Sequence, residues 1–248
     1  MKHKSHPQNF IYGTHAVLAA LRNPKRTCQY LLFSKSVAPE IESAIRDHPD
    51  LDIRSVDNIE LDRLVGEQSV HQGIVLKASP LTQPYIEDIL ADVPDTACII
   101  VLDQVTDPHN IGAIMRSAAA FGAIAVVQQE LNAPDANNST IAKTASGAVE
   151  EIPLVSVTNI ARTMEDLKKI GFWCIGLDEM GKEKLDKANL KGKIAFIMGR
   201  EGKGLRPLIR GTCDILSHLP TSESFSTLNV SNAAAVSLYE WRRQNGTR

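Results

Sequence analysis

The stretch "VLDQVTDPHNIGAIMRSAAAFG", residues 101–122, decides how this chain is read. An apolar strand ending at Val101 and Leu102 runs into a turn, and the turn runs into a helix. A dinucleotide-binding unit would place glycines in that turn. This one holds Asp107, Pro108, His109 and Asn110 instead. Asp107-Pro108 sets the turn, and Asn110 is expected to cap the helix that follows. Around Arg116 the i±3 and i±4 neighbours are Gly112, Ala113, Ala119 and Ala120, small enough to let a ligand approach beneath the guanidinium. An exposed arginine on an amphipathic helix accounts for the same pattern.

Outward from this stretch, "ACIIVLD", "AIAVVQ", "IPLVSV", "GFWCIGLD" and "KIAFIMG" read as strands separated by helices. The last helix is "NVSNAAAVSLYEWRRQ". Near-continuous apolar strands of this kind predict a parallel sheet covered on both faces. Upstream, residues 11–78 alternate shorter helices and strands, from "GTHAVLAALRN" to "QGIVLKAS". Between the two lies a stretch punctuated by Pro80, Pro84 and Pro94, with room for one helical turn. The expected organisation is α/β throughout: a small domain over 8–79, a linker over 80–95 and a larger domain over 96–248.

The chain has 248 residues, 43% of them hydrophobic and 23% charged, which is the composition of a globular protein. No apolar run approaches the roughly 20 residues of a membrane span. The basic opening "MKHKSHPQNF" leads into no signal-peptide core, so a cytoplasmic location is expected. Cys28, Cys98, Cys174 and Cys213 are widely spaced, which suggests neither a zinc site nor a disulfide framework. Net charge is −2, which argues against a bulk electrostatic nucleic-acid binder. Yet no acidic residue occurs from Met1 to Lys35, where Lys2, Lys4, Arg22, Lys25, Arg26 and Lys35 fall. That segment is expected to face phosphate. A second basic stretch, from Lys182 to Arg210, reads equally well as solvated surface.

Two further loops follow strands with unusual chemistry. "FIMGREGKGLRP", residues 196–207, sets Gly199, Gly202 and Gly204 around Glu201, and matches neither a P-loop nor the dinucleotide fingerprint. "HLPTSESFSTLNVSNAAAVSLYE", residues 218–240, leads small hydroxyl residues into a helix whose first turn holds Asn229, Ser231 and Asn232. In order and spacing, "DPHNIGAIMRSAAAFG", "MGREGKG" and "STLNVSNAAAV" resemble the three motifs of the SpoU (TrmH-like) RNA ribose methyltransferases. "IYGTHAVLAAL" and "VHQGIVLKA" are similar to the substrate-binding domain of the branch that modifies guanosine in large-subunit ribosomal RNA. The resemblance covers nearly the whole chain.

What the resemblance implies is an S-adenosylmethionine-dependent enzyme with a C-terminal SPOUT (α/β trefoil-knot) domain. The N-terminal domain would be RNA-binding and ribosomal-protein L30e-like. Arg116 matches the family's catalytic arginine, and Asn110 and Glu201 match residues that orient it. Asn229 would bond near the target hydroxyl or the cofactor. Gly199, Leu219, Leu228 and Thr227 match the cofactor-holding positions, and no metal is implied. Thr227 stands where the family usually has serine, and Glu223 where a glycine is common. The implied partners are ribosomal RNA, with tRNA as the alternative, and a second copy of the chain. Packing in that homodimer would involve Tyr239 and Trp241. Rival readings are a non-catalytic RNA-binding scaffold, which would lack the motif residues, and a nicotinamide-dependent oxidoreductase, which would need the missing glycine fingerprint.

Overall fold

The computed structural model describes residues 10–34, 38–67, 69–222, 224 and 227–246. The chain divides into two units, one comprising Met1–Thr82 with Asn137–Glu151, the other Gln83–Ala136 with Ile152–Arg248. Lys2, Lys4 and Lys35 of the acid-free segment lie outside the described residues, as does Glu223.

The first unit runs β1 (Phe10–Tyr12), α1 (Thr14–Arg22), β2 (Cys28–Phe33), α2 (Pro39–Ile45), β3 (Asp52–Ser55), α3 (Asn58–Val65) and β4 (Ile74–Ala78). Its strands form one sheet in the order β1-β4-β2-β3, with β4 antiparallel to β1 and β2. Leu31, Leu76, Ile74 and Ile11 pack with Val17, Ala20 and Ile41 in one apolar cluster. Leu32, Val75 and Phe10 pack with Leu61 in another. Alternation along β2 and β4 sends successive side chains to the two clusters, as a sheet covered on both faces requires. Strand β1 is too short to show a period in the sequence.

The second unit runs α4 (Ile86–Leu90), β5 (Ala97–Asp103), α5 (Pro108–Phe121), β6 (Ala125–Gln129), and then, after the excursion described below, β7 (Leu154–Val157), α8 (Ile160–Lys169) and β8 (Trp173–Leu177). It finishes with β9 (Glu183–Lys184), a 3-10 turn at Leu185–Lys187, β10 (Lys193–Gly199), α9 (Pro207–Thr212), β11 (Ile215–His218) and α10 (Val230–Gln244). Its sheet has the order β7-β6-β5-β10-β8-β11-β9, and every pairing in it is parallel. All seven residues of β5 are buried. Ile99, Val101, Val127 and Ile197 pack on one face with Ile160, Met164, Leu167 and Ile209. The parallel sheet is therefore the one expected from the apolar strands, with β9 and β11 added.

Between β6 and β7 the chain returns to the first unit, where α6 (Ser139–Ala145) and α7 (Ala148–Glu151) belong. A linear reading of the chain places these residues in the larger domain, whereas in the structure they group with the first unit. Glu150 explains their attachment. Its carboxylate takes Arg26 Nη2 at 2.6 Å, Arg26 Nε at 3.2 Å and Asn23 Nδ2 at 2.7 Å. Arg26 Nη1 donates to the Ser79 carbonyl at 2.7 Å. The two charged side chains are only 6% and 2% exposed. Arg26 is thus not on a phosphate-facing surface. It is neutralised and buried by a carboxylate 124 residues away, a partner that local charge counting does not register.

Candidate functional site

Strand order brings the three unusual loops together at one edge. β10 lies directly beside β5, and their last residues, Gly199 and Asp103, are register partners. From β5 the chain proceeds toward β6 on one side, whereas from β10 it proceeds to β11 on the other. This divergence makes a switch point, and ligands of parallel α/β sheets bind outside such points at the carboxyl ends of the strands.

Asp103 closes β5 with a carboxylate wholly removed from solvent. It accepts the Arg206 backbone N–H at 2.9 Å and Arg206 Nε at 2.6 Å, and Arg206 Nη2 completes the ion pair at 2.6 Å. Neutralisation in this form is what a buried carboxylate needs. The pair fastens the far end of the glycine loop to the strand that starts the first motif. Sequence reasoning missed it, because nothing local links residues 103 apart. The near end is fastened sterically. A Cβ on Gly199 would lie 2.4 Å from the Gly204 carbonyl carbon, so only glycine lets the loop fold back onto its own strand.

Helix α5 starts differently from expectation. Asp107, not Asn110, is the N-cap, accepting the His109 N–H at 3.0 Å, with Pro108 in the first turn where its missing N–H costs nothing. Asn110 falls inside the first turn, so its side chain is released for other bonds. The helix ends at Gly122, left-handed at φ 78°. Asn229 is itself the N-cap of α10, accepting from Ser231 N at 2.8 Å and Ser231 Oγ at 2.5 Å through Oδ1.

Three of the expected residues meet. Asn110 Nδ2 donates to Glu201 Oε1 at 3.1 Å. Asn229 Nδ2 donates to the same oxygen at 2.6 Å and to Asn110 Oδ1 at 3.0 Å. One residue from each motif therefore enters a single closed triangle of hydrogen bonds. Arg116 is not part of it. It stands exposed on α5, and its side chain makes no hydrogen bond or ion pair with a described residue. Leu228 is 42% exposed, an apolar side chain in water immediately before Asn229, and Thr227 is exposed beside it. Gly199 and Leu219 are half-buried, at or just beyond the carboxyl ends of β10 and β11.

The final helix divides its aromatics. Trp241 is buried, with its Nε1 donating to the Gly192 carbonyl at 3.5 Å, so it serves the unit's own core. Tyr239 is 56% exposed and sets its ring edge-on against Phe121 of α5, centroids 6.1 Å apart. Among the described residues no cluster of histidine, cysteine or carboxylate side chains could hold a metal ion, and no helix is long and apolar enough to cross a membrane.

Known proteins align with this geometry. The model of the SpoU rRNA methylase family matches residues 97–239, and that of the RNA 2'-O ribose methyltransferase substrate-binding domain matches residues 10–84. The 23S rRNA (guanosine-2'-O-)-methyltransferase RlmB of Pseudomonas putida is 40% identical over 244 residues, covering 94% of this chain and 96% of the relative. RlmB of Ralstonia nicotianae is 38% identical, covering 94% and 95%. The solved structure of the SpoU methyltransferase AviRb from Streptomyces viridochromogenes, in complex with AdoMet, superposes with a TM-score of 0.80 at 22% identity, covering 95% of this chain and 89% of that one.

Proposed function

The chain belongs to the SpoU rRNA methylase family, and from that premise we propose that it methylates a guanosine ribose 2'-OH of large-subunit ribosomal RNA, with S-adenosylmethionine as donor. The fold is that of the family, an α/β SPOUT trefoil-knot domain preceded by a smaller α/β unit. The observation that carries the reading is the triangle of Asn110, Glu201 and Asn229, which draws all three family motifs to one switch point. Ribosomal RNA is favoured over tRNA because the likeness to the 23S enzyme extends through the N-terminal unit as well as the catalytic one.

The residues present fit the donor. A nucleoside attached to a sulfonium calls for exposed apolar surface, free backbone groups and no unpaired cation buried beneath it. Leu228 supplies the first. Gly199 and Leu219, half-buried at and just beyond the carboxyl ends of β10 and β11, would supply the second, and Thr227 would add a hydroxyl. Glu201 is bonded to amides and not to a cation, so its negative charge remains available to a sulfonium. When bound, S-adenosylmethionine supplies an electrophilic methyl group.

The chain's own task is then to position the hydroxyl and ease loss of its proton. A guanidinium is a permanent cation under the conditions of the reaction, which suits Arg116 to holding charge and not to taking a proton. It instead clamps the phosphate beside the target ribose and offsets the alkoxide charge that develops on the oxygen. The proton passes to that phosphate or to water. Asn110, Glu201 and Asn229 hold the motif loops in register around this event. Val236 and Tyr239, 47% and 56% exposed on α10, form with Phe121 an apolar strip that suits a homodimer contact. Such an enzyme works in the cytoplasm, where ribosomal RNA matures.

The test is transfer of labelled methyl from S-adenosylmethionine to unmodified 23S rRNA and, in parallel, to unmodified tRNA, with nucleosides identified by mass spectrometry. Ribose-methylated guanosine from the rRNA, lost in Arg116→Ala, is expected. Because Arg116 is exposed, that variant should match the parent in stability to within about 0.5 kcal/mol. Methylation of tRNA alone would overturn the substrate, and full activity in Arg116→Ala would overturn the role of the arginine.

A further inference from the structure

Two cations flank Glu201 without partners. Arg200 and Lys203 are both exposed, and neither side chain makes a hydrogen bond or ion pair with a described residue. The turn that carries them is fixed. Gly204 N donates to the Arg200 carbonyl at 2.8 Å, and the same two residues form an isolated antiparallel bridge. Gly202 and Gly204 hold left-handed backbone at φ 72° and 64°, which side chains at those positions would strain. Upstream, Gly199 is packed onto the returning backbone; downstream, Arg206 is held by Asp103. Glu201, inside the turn, is held by Asn110 and Asn229.

This arrangement sorts the charges of the loop. Arg206 has its guanidinium committed to a buried carboxylate, and Glu201 has one oxygen committed to two amides. Arg200 and Lys203 remain as free cations on a backbone that has no slack. We infer that Arg200 and Lys203 are a phosphate fork, binding backbone phosphates of the RNA that flank the nucleotide held by Arg116. The inference rests on the reading of the chain as an RNA ribose methyltransferase and assigns that site its grip on the substrate strand. An arginine meets a phosphate through two parallel N–H donors, and a lysine meets it as a point charge. A net charge of −2 gives the whole molecule no bulk attraction for RNA, so attraction must come from local cations. A rigid turn loses little freedom when they engage.

The experiment is equilibrium binding of an unmodified 23S rRNA transcript to the full chain across a series of salt concentrations, with S-adenosylmethionine affinity measured by calorimetry. In Arg200→Gln/Lys203→Gln the transcript should bind about tenfold or more weakly, and the slope of log K against log salt should shrink by about 0.7 for each phosphate the loop no longer grips. S-adenosylmethionine affinity should stay at the parent value. Arg200→Lys/Lys203→Arg should restore the slope. An unchanged slope in the neutral variant would overturn the fork. So would a weakened S-adenosylmethionine affinity, because it would assign these cations to the donor's carboxylate. Methylation of the transcript by the parent, assayed separately, reports on the enzymatic reading, so failure of that reading and failure of the fork are told apart.

Discussion

Asn229 Nδ2 lies 2.6 Å from Glu201 Oε1, joining the cap of the last helix to the middle of the glycine loop across 28 residues. The same Asn229 uses its Oδ1 to hold Ser231 at the start of α10. One side chain thus starts a helix with its oxygen and positions a loop with its nitrogen. Neither end can move without the other, and Asn110 closes the triangle from α5.

Removal of the shared acceptor should therefore show in turnover more than in stability. Glu201→Ala removes the acceptor of Asn110 Nδ2, leaves Asn229 Nδ2 only Asn110 Oδ1, and loosens the register between the three motifs. A misplacement of about 1 Å costs on the order of 10²-fold in rate, so kcat is expected to fall about that far. Glu201→Gln keeps an oxygen able to accept both bonds and should retain more activity than the alanine variant. Glu201 is exposed and outside the core, so thermal unfolding should move little. Single-turnover methylation beside a circular-dichroism melt checks both halves. Parent-level turnover in Glu201→Ala would remove the triangle from the mechanism.

The Arg26–Glu150 pair makes the opposite prediction, stability first. With Arg26 only 6% exposed, Glu150→Ala leaves a buried guanidinium facing no carboxylate and strips Asn23 of its acceptor. Breaking a buried pair from one side costs about 3–5 kcal/mol. The loss should appear in urea unfolding of the first unit. For the same reason a fragment ending at Thr82 lacks Glu150 and should be less stable than one in which Asn137–Glu151 is retained. Equal urea midpoints for Glu150→Ala and the parent would show that the pair contributes nothing net.

These two clusters mark the limit of what is legible in the sequence. Apolar runs such as "ACIIVLD" and "KIAFIMG" carry their strand character locally, and each matches its strand to the residue. Asn110, Glu201 and Asn229 are recognisable by motif, but the bonds between them are not. The Arg26 and Asp103 partnerships are invisible, because their carboxylate or guanidinium partners lie 124 and 103 residues away. The cap of α5 lies three residues before the expected one. Asp107 and Asn110 are both good caps, and the choice falls to the proline between them, which favours the first helical position. Arg26 shows the general reason: net charge along a segment does not say which charges will be neutralised from elsewhere.

The cysteines yield a pH prediction whose sign follows from burial. Desolvation pushes the thiols of Cys174 and Cys213 up to about 12, and raises Cys28 and, furthest, Cys98. In the unfolded chain a thiol titrates near ~8.5. Below that value both states hold the proton, and the thiols contribute nothing to the pH dependence. Between about pH 9 and 12 the unfolded chain releases protons that the folded chain keeps, so the unfolded state gains and stability falls as pH rises. Each thiol that stays protonated contributes a slope of at most about 1.4 kcal/mol per pH unit in that window. The urea midpoint should therefore hold steady from pH 7 to 8 and drop from pH 9 to 10.5. In Cys174→Ala/Cys213→Ala that drop should be shallower, whatever the starting stability. Native protein at pH 8 should react slowly with a thiol reagent and rapidly once unfolded. Fast, stoichiometric labelling of the native protein would contradict the burial from which the sign follows.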